Sequence, residues 1–232
     1  MKYICTFFIL FAIAILPSTA ARKAQQDSTI HDEKIETIFG SDEFTNGGFG
    51  AFEMKPGSIN GKAGLFLGGR GGWIINHVFS IGGGGFGLVS KPEIGRFSDG
   101  GADTTLSLNF GYGGLIFEYT NNSFKAIHFT VNTLIGAGGA SYKQTNSLDT
   151  DEDEDDHSWD SKLGSTTFFV VEPSITAEIN VHKYFRVAIG ASYRFVSGVD
   201  LAHYVGNDAV VKTSAKDLSG FNGVISFKFG KF

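Results

Sequence analysis

Residues 108–135 read LNFGYGGLIFEYTNNSFKAIHFTVNTLI. On both sides of Asn121-Asn122, large apolar residues alternate with small or polar ones, as in a β-hairpin with one apolar face. Asparagine tolerates the positive φ angles of a two-residue type I′ turn, so this segment predicts a hairpin that turns at these two residues. Each strand then has about nine residues, a length typical of β-strands that cross a membrane.

The position of the predicted turn decides which side chains share a face of this hairpin. The apolar face pairs Ile116 with Ile127, Tyr112 with Val131, and Leu108 with Ile135. The opposite face pairs Leu115 with His128, Gly113 with Thr130, and Gly111 with Asn132. One face is therefore apolar, whereas the other is mostly small or polar.

Short and long polar links alternate along the rest of the chain. The other short links are at Asn76-His77 and residues 181–183, and the longer ones are at residues 56–61, 91–103, 144–165 and 197–220. About eight strands with short turns at one end and long loops at the other are typical of bacterial outer-membrane barrels. The predicted fold is all-β, an eight-stranded antiparallel up-and-down transmembrane β-barrel.

The N-terminus has the pattern of an export signal. Lys2 precedes the apolar run Ile4–Leu16, and the small residues of Ser18-Thr19-Ala20 suit signal peptidase. We therefore predict a signal peptide at residues 1–20. Cys5 is the only cysteine and lies inside it, so we expect no disulfide, cysteine nucleophile or cysteine metal ligand in the mature chain.

The remaining sequence fits a polar lead followed by one domain. We predict an N-terminal lead at residues 21–43 and an outer-membrane β-barrel domain at residues 44–232. The formal net charge of the full chain is -5, which argues against nucleic acid as a partner. The expected location is the outer membrane of a bacterial cell.

The hairpin around residues 181–183 has one apolar face and one charged face. A three-residue link places Glu178 directly across from Arg186. An eight-stranded barrel encloses a space that side chains can just fill, and glutamate–arginine pairs can neutralise one another there. We therefore predict that the charged face points inward and that a buried polar network fills the barrel without an open pore. Its predicted members are Arg70, Glu172, Glu178, Arg186 and Arg194. The alternative is ordinary surface charge on a soluble barrel.

The last strand, Phe221–Phe232, ends in Phe227-Lys228-Phe229-Gly230-Lys231-Phe232. Here the chain resembles the small outer-membrane barrels of the OmpX and OmpA-barrel type, over residues 44–232. The resemblance implies that Phe227, Phe229 and Phe232 form the signal read by the barrel assembly machinery. Because Phe232 has the opposite side-chain parity from the other two, we expect a bulge at Gly230.

The long link at residues 144–165 contains a dense acidic run. Its alternating carboxylates resemble a calcium loop, but Glu154 stands where an EF-hand requires glycine, and Asp160 stands where it has glutamate. A solvated loop is the ordinary interpretation of such a run. The candidate ligands for weak binding of divalent cations are Asp149, Asp151, Asp153, Asp155 and Asp160.

Two other patterns bear on catalysis. Gly82, Gly84 and Gly87 have G-x-G-x-x-G spacing, but the helix that a dinucleotide site requires is not predicted after them. His128-Phe129-Thr130 places threonine where a lipid A deacylase would need a serine beside its histidine. We predict His128 to be an interior hydrogen-bonding residue, and we predict no catalytic residue and no cofactor.

These patterns predict a small non-enzymatic outer-membrane barrel that acts structurally, or in surface interaction and adhesion through long loops. Its expected partners are outer-membrane lipid, lipopolysaccharide, the barrel assembly machinery and an extracellular partner that the sequence does not identify. Two alternatives remain open. One is an exported lipocalin-like barrel that binds a small apolar ligand, and the other is a lipid A-modifying enzyme.

Overall fold

The computed structural model describes residues 45–90, 92–99, 102–146, 164–205 and 208–232. In these ranges the chain forms strands and one short helix, in the following order. They are β1 (Asn46–Ile59), β2 (Lys62–Ile75), β3 (Phe79–Leu88), β4 (Glu93–Asp99), β5 (Ala102–Asn121), β6 (Ile127–Asn146), β7 (Ser165–His182), β8 (Phe185–Ser197), β9 (Asp200–Val205), β10 (Asp208–Ser214), α1 (Ala215–Leu218) and β11 (Gly220–Lys231). The predicted signal peptide, the lead and Phe44 lie outside the described residues.

Eight of these strands form a closed antiparallel barrel. Around the wall they follow the order β1, β2, β3, β5, β6, β7, β8 and β11. The first and last strands of the chain, β1 and β11, pair with each other. The predicted eight-stranded up-and-down barrel is therefore confirmed. No helix among the described residues is long and apolar enough to cross a membrane.

The end of the barrel with the long links contains more structure than the sequence predicts. Strand β4 pairs with the first residues of β5, and β9 and β10 form a separate hairpin. The segments predicted as polar links at residues 91–103 and 197–220 are thus partly strand. Their apolar residues explain the difference, because Leu201 and Leu218 are fully buried against the interior of the barrel.

The structure corrects the register of the hairpin around Asn121-Asn122. Strands β5 and β6 are joined by the five residues 122–126, and the register pairs Leu115 with Ile135. The side chain of Asn180 in β7 donates hydrogen bonds to the carbonyls of Ser123 and Lys125, at 2.9 and 2.7 Å. This long-range contact holds the wider turn, and local sequence gives no sign of it.

The longer turn reverses the two faces of β5 but leaves those of β6 as predicted. Ile127, Val131 and Ile135 are exposed on the outer surface. On β5 the outward residues are Leu115, Phe117 and Tyr119, whereas Leu108, Tyr112 and Ile116 are buried inside the barrel. The prediction that Leu108, Tyr112 and Ile116 share a face with Ile127, Val131 and Ile135 is therefore wrong, because the link has five residues instead of two.

The hairpin of β7 and β8 keeps its predicted faces in a shifted register. The turn consists of Lys183 and Tyr184, and a register irregularity lies between Asn180 and His182. Glu178 therefore pairs with Ala188 instead of Arg186, which stands opposite Asn180. Because the shift moves each pairing by two residues, the side chains stay on the predicted face.

The predicted bulge at Gly230 is absent from the ladder between β1 and β11. Phe49 pairs with Gly230, and Gly48 pairs with Lys231, in one unbroken register. Phe229 therefore lies on the outer surface, where it is exposed. Phe232 lies against the opposite side of the wall, with its ring centroid 3.8 Å from the guanidinium carbon of Arg186.

The turn between β1 and β2 consists of Asn60 and Gly61, both with left-handed φ angles of 50° and 71°. This is the conformation of a two-residue type I′ turn. A side chain at the second position costs free energy because its Cβ approaches the following carbonyl. We expect Gly61→Ala to lower the free energy of unfolding by about 1 kcal/mol, measured as a urea midpoint after refolding in detergent micelles.

Gly50→Ala is the matched control for this substitution. Gly50 lies in β1, and an added Cβ there would have no atom within 4 Å. The urea midpoint should therefore change little. Equal losses of stability in the two variants would contradict a specific requirement for glycine in the turn.

Candidate functional site

The interior of the barrel has two zones. Toward the long links, apolar side chains form a buried cluster that includes Phe66, Phe110 and Phe168. The rings of Phe110 and Phe168 are stacked, with centroids 4.9 Å apart. Toward the short turns, the inward positions are occupied by charged and hydroxyl side chains. The interior is thus apolar at one end and ionic at the other.

The centre of the ionic zone is a chain of alternating charges that connects five strands. Lys228 of β11 lies between two carboxylates, with its Nζ 2.8 Å from Glu118 Oε1 and 2.5 Å from Glu178 Oε1. Glu118 also accepts a hydrogen bond from Arg70 Nη1. Glu178 Oε2 lies 3.7 Å from Arg186 Nη1. Each of the two carboxylates therefore contacts two cationic side chains.

The ionic chain continues across β1 toward the middle of the barrel. Arg70 Nε donates to Glu53 Oε1 at 2.6 Å, and Lys55 Nζ lies 3.8 Å from the other oxygen of Glu53. The same Lys55 Nζ donates to Glu172 Oε2 at 3.0 Å. Burying a charge is costly unless it is paired, and these contacts give each of these buried groups a partner of opposite charge.

Glu172 is also surrounded by neutral donors. The hydroxyls of Tyr112 and Ser192 donate to its two oxygens, each at 2.6 Å. The side-chain amide of Asn222 donates to Glu172 Oε1 at 3.3 Å. With Lys55 as its ionic partner, this carboxylate of β7 thus contacts residues from four other barrel strands.

Arg194 lies at the apolar end of the interior and connects several elements there. Its guanidinium donates to the carbonyl oxygens of Leu218 and Ser58, at 2.8 and 3.1 Å, and to Asn222 Oδ1 at 3.3 Å. Its guanidinium carbon lies 4.3 Å from the ring centroid of Phe66. Arg194 therefore ties α1 and the end of β1 to the barrel wall.

The short helix α1 is fixed at its first turn. The backbone amide and the hydroxyl of Ser214 donate to Asp217 Oδ2, at 2.8 and 2.6 Å. These hydrogen bonds hold the pKa of Asp217 below its ordinary value. At the other end of the helix, Leu218 is fully buried in the apolar cluster. The helix thus closes over the barrel end that carries the long links.

The structure places all five residues of the predicted network inside the barrel. Arg70, Glu172, Glu178, Arg186 and Arg194 are each no more than 7% exposed. Glu178 and Arg186 form an ion pair, although they do not stand directly opposite each other. Arg194 instead contacts carbonyl and amide oxygens and aromatic rings.

Sequence reasoning missed four charged members of the network. Glu118 was missed because the error in the β5–β6 turn reversed the faces of β5. Glu53 and Lys55 lie next to Pro56, where a link was predicted, although β1 continues to Ile59. Lys228 was not included, although it alternates with Phe227 and Phe229 in the last strand. The alternation of Phe52, Met54 and Pro56 with Glu53 and Lys55 is the signal that could have revealed the first strand.

The histidine and threonine considered for catalysis lie inside the barrel. His128 Nε2 is 3.3 Å from Glu178 Oε2, and His128 Nδ1 is 3.2 Å from the carbonyl oxygen of Lys125. Thr130 is fully buried and donates to Thr120 Oγ1 at 3.4 Å. A threonine enclosed in this way cannot reach a lipid outside the barrel wall.

The other candidate sites are not formed in the described part of the chain. Gly82, Gly84 and Gly87 lie within β3, which pairs with strands on both sides and leads into β4, so no helix follows to bind a dinucleotide. The acidic residues at 149–160 lie outside the described residues. Within the described ranges, no group of three or more histidine, cysteine, aspartate or glutamate residues is placed to hold a metal ion.

No known family model matches the sequence, and no curated protein matches it. The fold is similar to that of neisserial surface protein A, with 9% identity and a TM-score of 0.41 over 82% of this chain and 100% of the other. It is similar to Ail, the attachment invasion locus protein of Yersinia pestis, solved with the heparin analogue sucrose octasulfate, with 11% identity and a TM-score of 0.41 over 80% and 97%.

A major outer membrane protein from Thermus thermophilus is similar at 8% identity and a TM-score of 0.46, over 79% of this chain and 98% of the other. These three TM-scores are below 0.5. The assignment of the fold therefore rests on the closed order of strands in this chain.

Substitution of Glu118 tests how much the ion pairs of the ionic zone contribute to stability. Glu118→Gln removes the carboxylate that Arg70 and Lys228 share, and it leaves both cations without one of their partners. Removing one partner of a buried ion pair typically costs about 3 to 5 kcal/mol. We expect the free energy of unfolding in micelles to fall by about 3 kcal/mol, with the barrel still able to fold. Asp200→Asn, at an exposed position, is the control and should change stability little. A neutral effect of Glu118→Gln would contradict the ion-pair geometry.

Proposed function

We propose that this protein is an integral outer-membrane barrel with a filled interior, exported by its N-terminal signal, and that it acts structurally or through contacts made by its long links. The observation that carries the proposal is the distribution of side chains across the barrel wall. In the part of the chain that the structure describes, nine buried glutamate, lysine and arginine side chains point inward, and large apolar side chains point outward on all eight barrel strands. A soluble protein would instead turn most of its charged side chains to water and would not expose an apolar band around its surface.

The outward band is broad and rich in aromatic residues. Its members that are more than one third exposed are Phe52, Leu65, Trp73, Phe79, Ile81, Leu115, Phe117, Tyr119, Ile127, Phe129, Val131, Ile135, Phe169, Ile175, Ile179, Val181, Ile189, Phe195, Phe221 and Phe229. Soluble monomers rarely expose continuous apolar patches of more than a few hundred Å². A band that surrounds the barrel is instead suited to contact lipid chains.

The wall also satisfies the requirement that a bilayer places on the backbone. Polar backbone groups in lipid must find their partners within the protein, which a closed barrel achieves because it has no free strand edge. The barrel strands of this chain contain 10 to 20 residues, and about 9 to 11 tilted residues are enough to cross the hydrocarbon core.

The interior supports a structural role more than a channel or a ligand carrier. The apolar end is filled by aromatic rings, and the ionic end by the paired charges. A cavity at the short-turn end is lined by Phe49, Glu118, Arg186, Lys228 and Phe232, among others, and has room for about one water molecule. A lipocalin-like carrier would need a larger apolar cavity.

The proposal includes the partners expected from the sequence. Membrane lipid contacts the outward band, lipopolysaccharide surrounds the end with the long links, and the assembly machinery reads the last strand at Phe227, Phe229 and Phe232. An enzymatic role in lipid A modification is disfavoured by the enclosed Thr130. An unchanged lipid A mass spectrum in cells that express the protein is the expected outcome, and a shifted acyl pattern would contradict the proposal.

Topology in intact cells tests this function directly. A cysteine introduced as Asp156→Cys in the acidic link should react with a membrane-impermeant maleimide on whole cells. A cysteine introduced as Lys125→Cys, in the turn between β5 and β6, should react only after the outer membrane is permeabilised. Equal labelling of both variants in a periplasmic extract would instead indicate a soluble barrel.

The filled interior predicts the absence of a stable conductance in planar bilayers. Paired charges and packed rings occupy the interior among the described residues, so the folded barrel should give no stable single-channel steps. A porin measured in the same bilayer serves as the positive control. Long-lived openings of uniform size from this protein would contradict the filled interior.

A further inference from the structure

The short links and the long links of the barrel differ sharply in charge. We define the short-turn rim as residues 76–78, 122–126, 181–184 and 230–232. It contains three lysines and two histidines and no aspartate or glutamate. In contrast, the links at residues 91–103, 144–165 and 197–220 together contain fourteen acidic and five basic residues. The short-turn rim is therefore suited to bind negatively charged groups.

The lysines of the short-turn rim are exposed, and one of them lies beside an aromatic ring. Lys125, Lys183 and Lys231 are exposed. Lys183 Nζ lies 4.9 Å from the ring centroid of its neighbour Tyr184, which is itself half-exposed. Long basic side chains and amphipathic rings at the edge of an apolar band are typical of groups placed at a membrane–water interface.

One section of the rim has the geometry of a lipid site. Gly48 of β1 is paired with Trp73 on one side and with Lys231 on the other. Trp73 and Lys231 are both exposed. They lie on either side of Gly48, which has no side chain to fill the space between them. Two strand spacings separate them, about 10 Å. Because Phe52 and Phe229 continue the apolar surface away from the rim, a lipid chain could lie along this surface with its headgroup beside Lys231.

We infer that the short-turn rim binds anionic phospholipid headgroups in preference to zwitterionic ones. This inference rests on the proposed function, since it requires the outward band to lie in a bilayer. The charge of the rim is complementary to a phosphate-bearing lipid that carries net negative charge, and the rim is continuous with the surface that would contact the acyl chains. A lysine close to a membrane surface attracts such lipids measurably.

The test uses Trp73 as a fluorescent reporter in the full barrel. The chain contains two tryptophans, so Trp159→Phe leaves Trp73 as the single one. This variant is refolded into vesicles of equal parts phosphatidylglycerol and phosphatidylcholine, with brominated acyl chains on one lipid at a time. Quenching of Trp73 by brominated phosphatidylglycerol should exceed that by brominated phosphatidylcholine by roughly twofold or more at low salt, because Lys231 enriches the anionic lipid nearby.

Two further variants make the test specific. Lys231→Gln should remove most of this preference, whereas Lys143→Gln, an exposed lysine in β6 toward the other end of the barrel, should retain it. Equal quenching by both lipids in the parent protein would overturn the inference but leave the barrel in the membrane. An equal loss in both variants would overturn it as well, because the cause would be net charge. No quenching by either lipid would overturn the proposed function and this inference together.

Discussion

The structure depends on the pairing of charges in a space that excludes bulk water. Among the described residues, four glutamates and five lysines or arginines are buried in the interior of an eight-stranded barrel. Each glutamate contacts at least one cationic side chain. An unpaired charge in this position would lose several kcal/mol of hydration without compensation, so the ion pairs strongly restrict which strands can be neighbours and in which register.

The same pairing determines which side chains of each strand face the interior and which face outward. A strand that slipped by one residue would turn its charged side chains toward the outside and its aromatic side chains toward the interior. Lys228 illustrates the restriction, because it reaches Glu118 and Glu178 on two strands that are not its neighbours in the wall. Contacts of this kind cross the interior and connect strands that do not pair with each other in the wall.

The sequence was sufficient to predict the fold and the inward face of the last three barrel strands. There, apolar and polar residues alternate cleanly, and an error of two residues in the β7–β8 register left every side chain on its predicted face. The β5–β6 turn was different, because one of its determinants is Asn180, more than fifty residues away. An odd change in link length reversed a whole strand, and Glu118 was lost from the predicted network as a result.

Arg194 also has a consequence for recognition at the end with the long links. The guanidinium of Arg194 binds carbonyl oxygens of residues 58 and 218, so the end of β1, the helix α1 and strand β8 are held in one arrangement. A molecule that contacts α1 would meet a surface that is already ordered. Binding there would lose less conformational entropy than binding to a free loop, so a small contact area could suffice for a useful affinity.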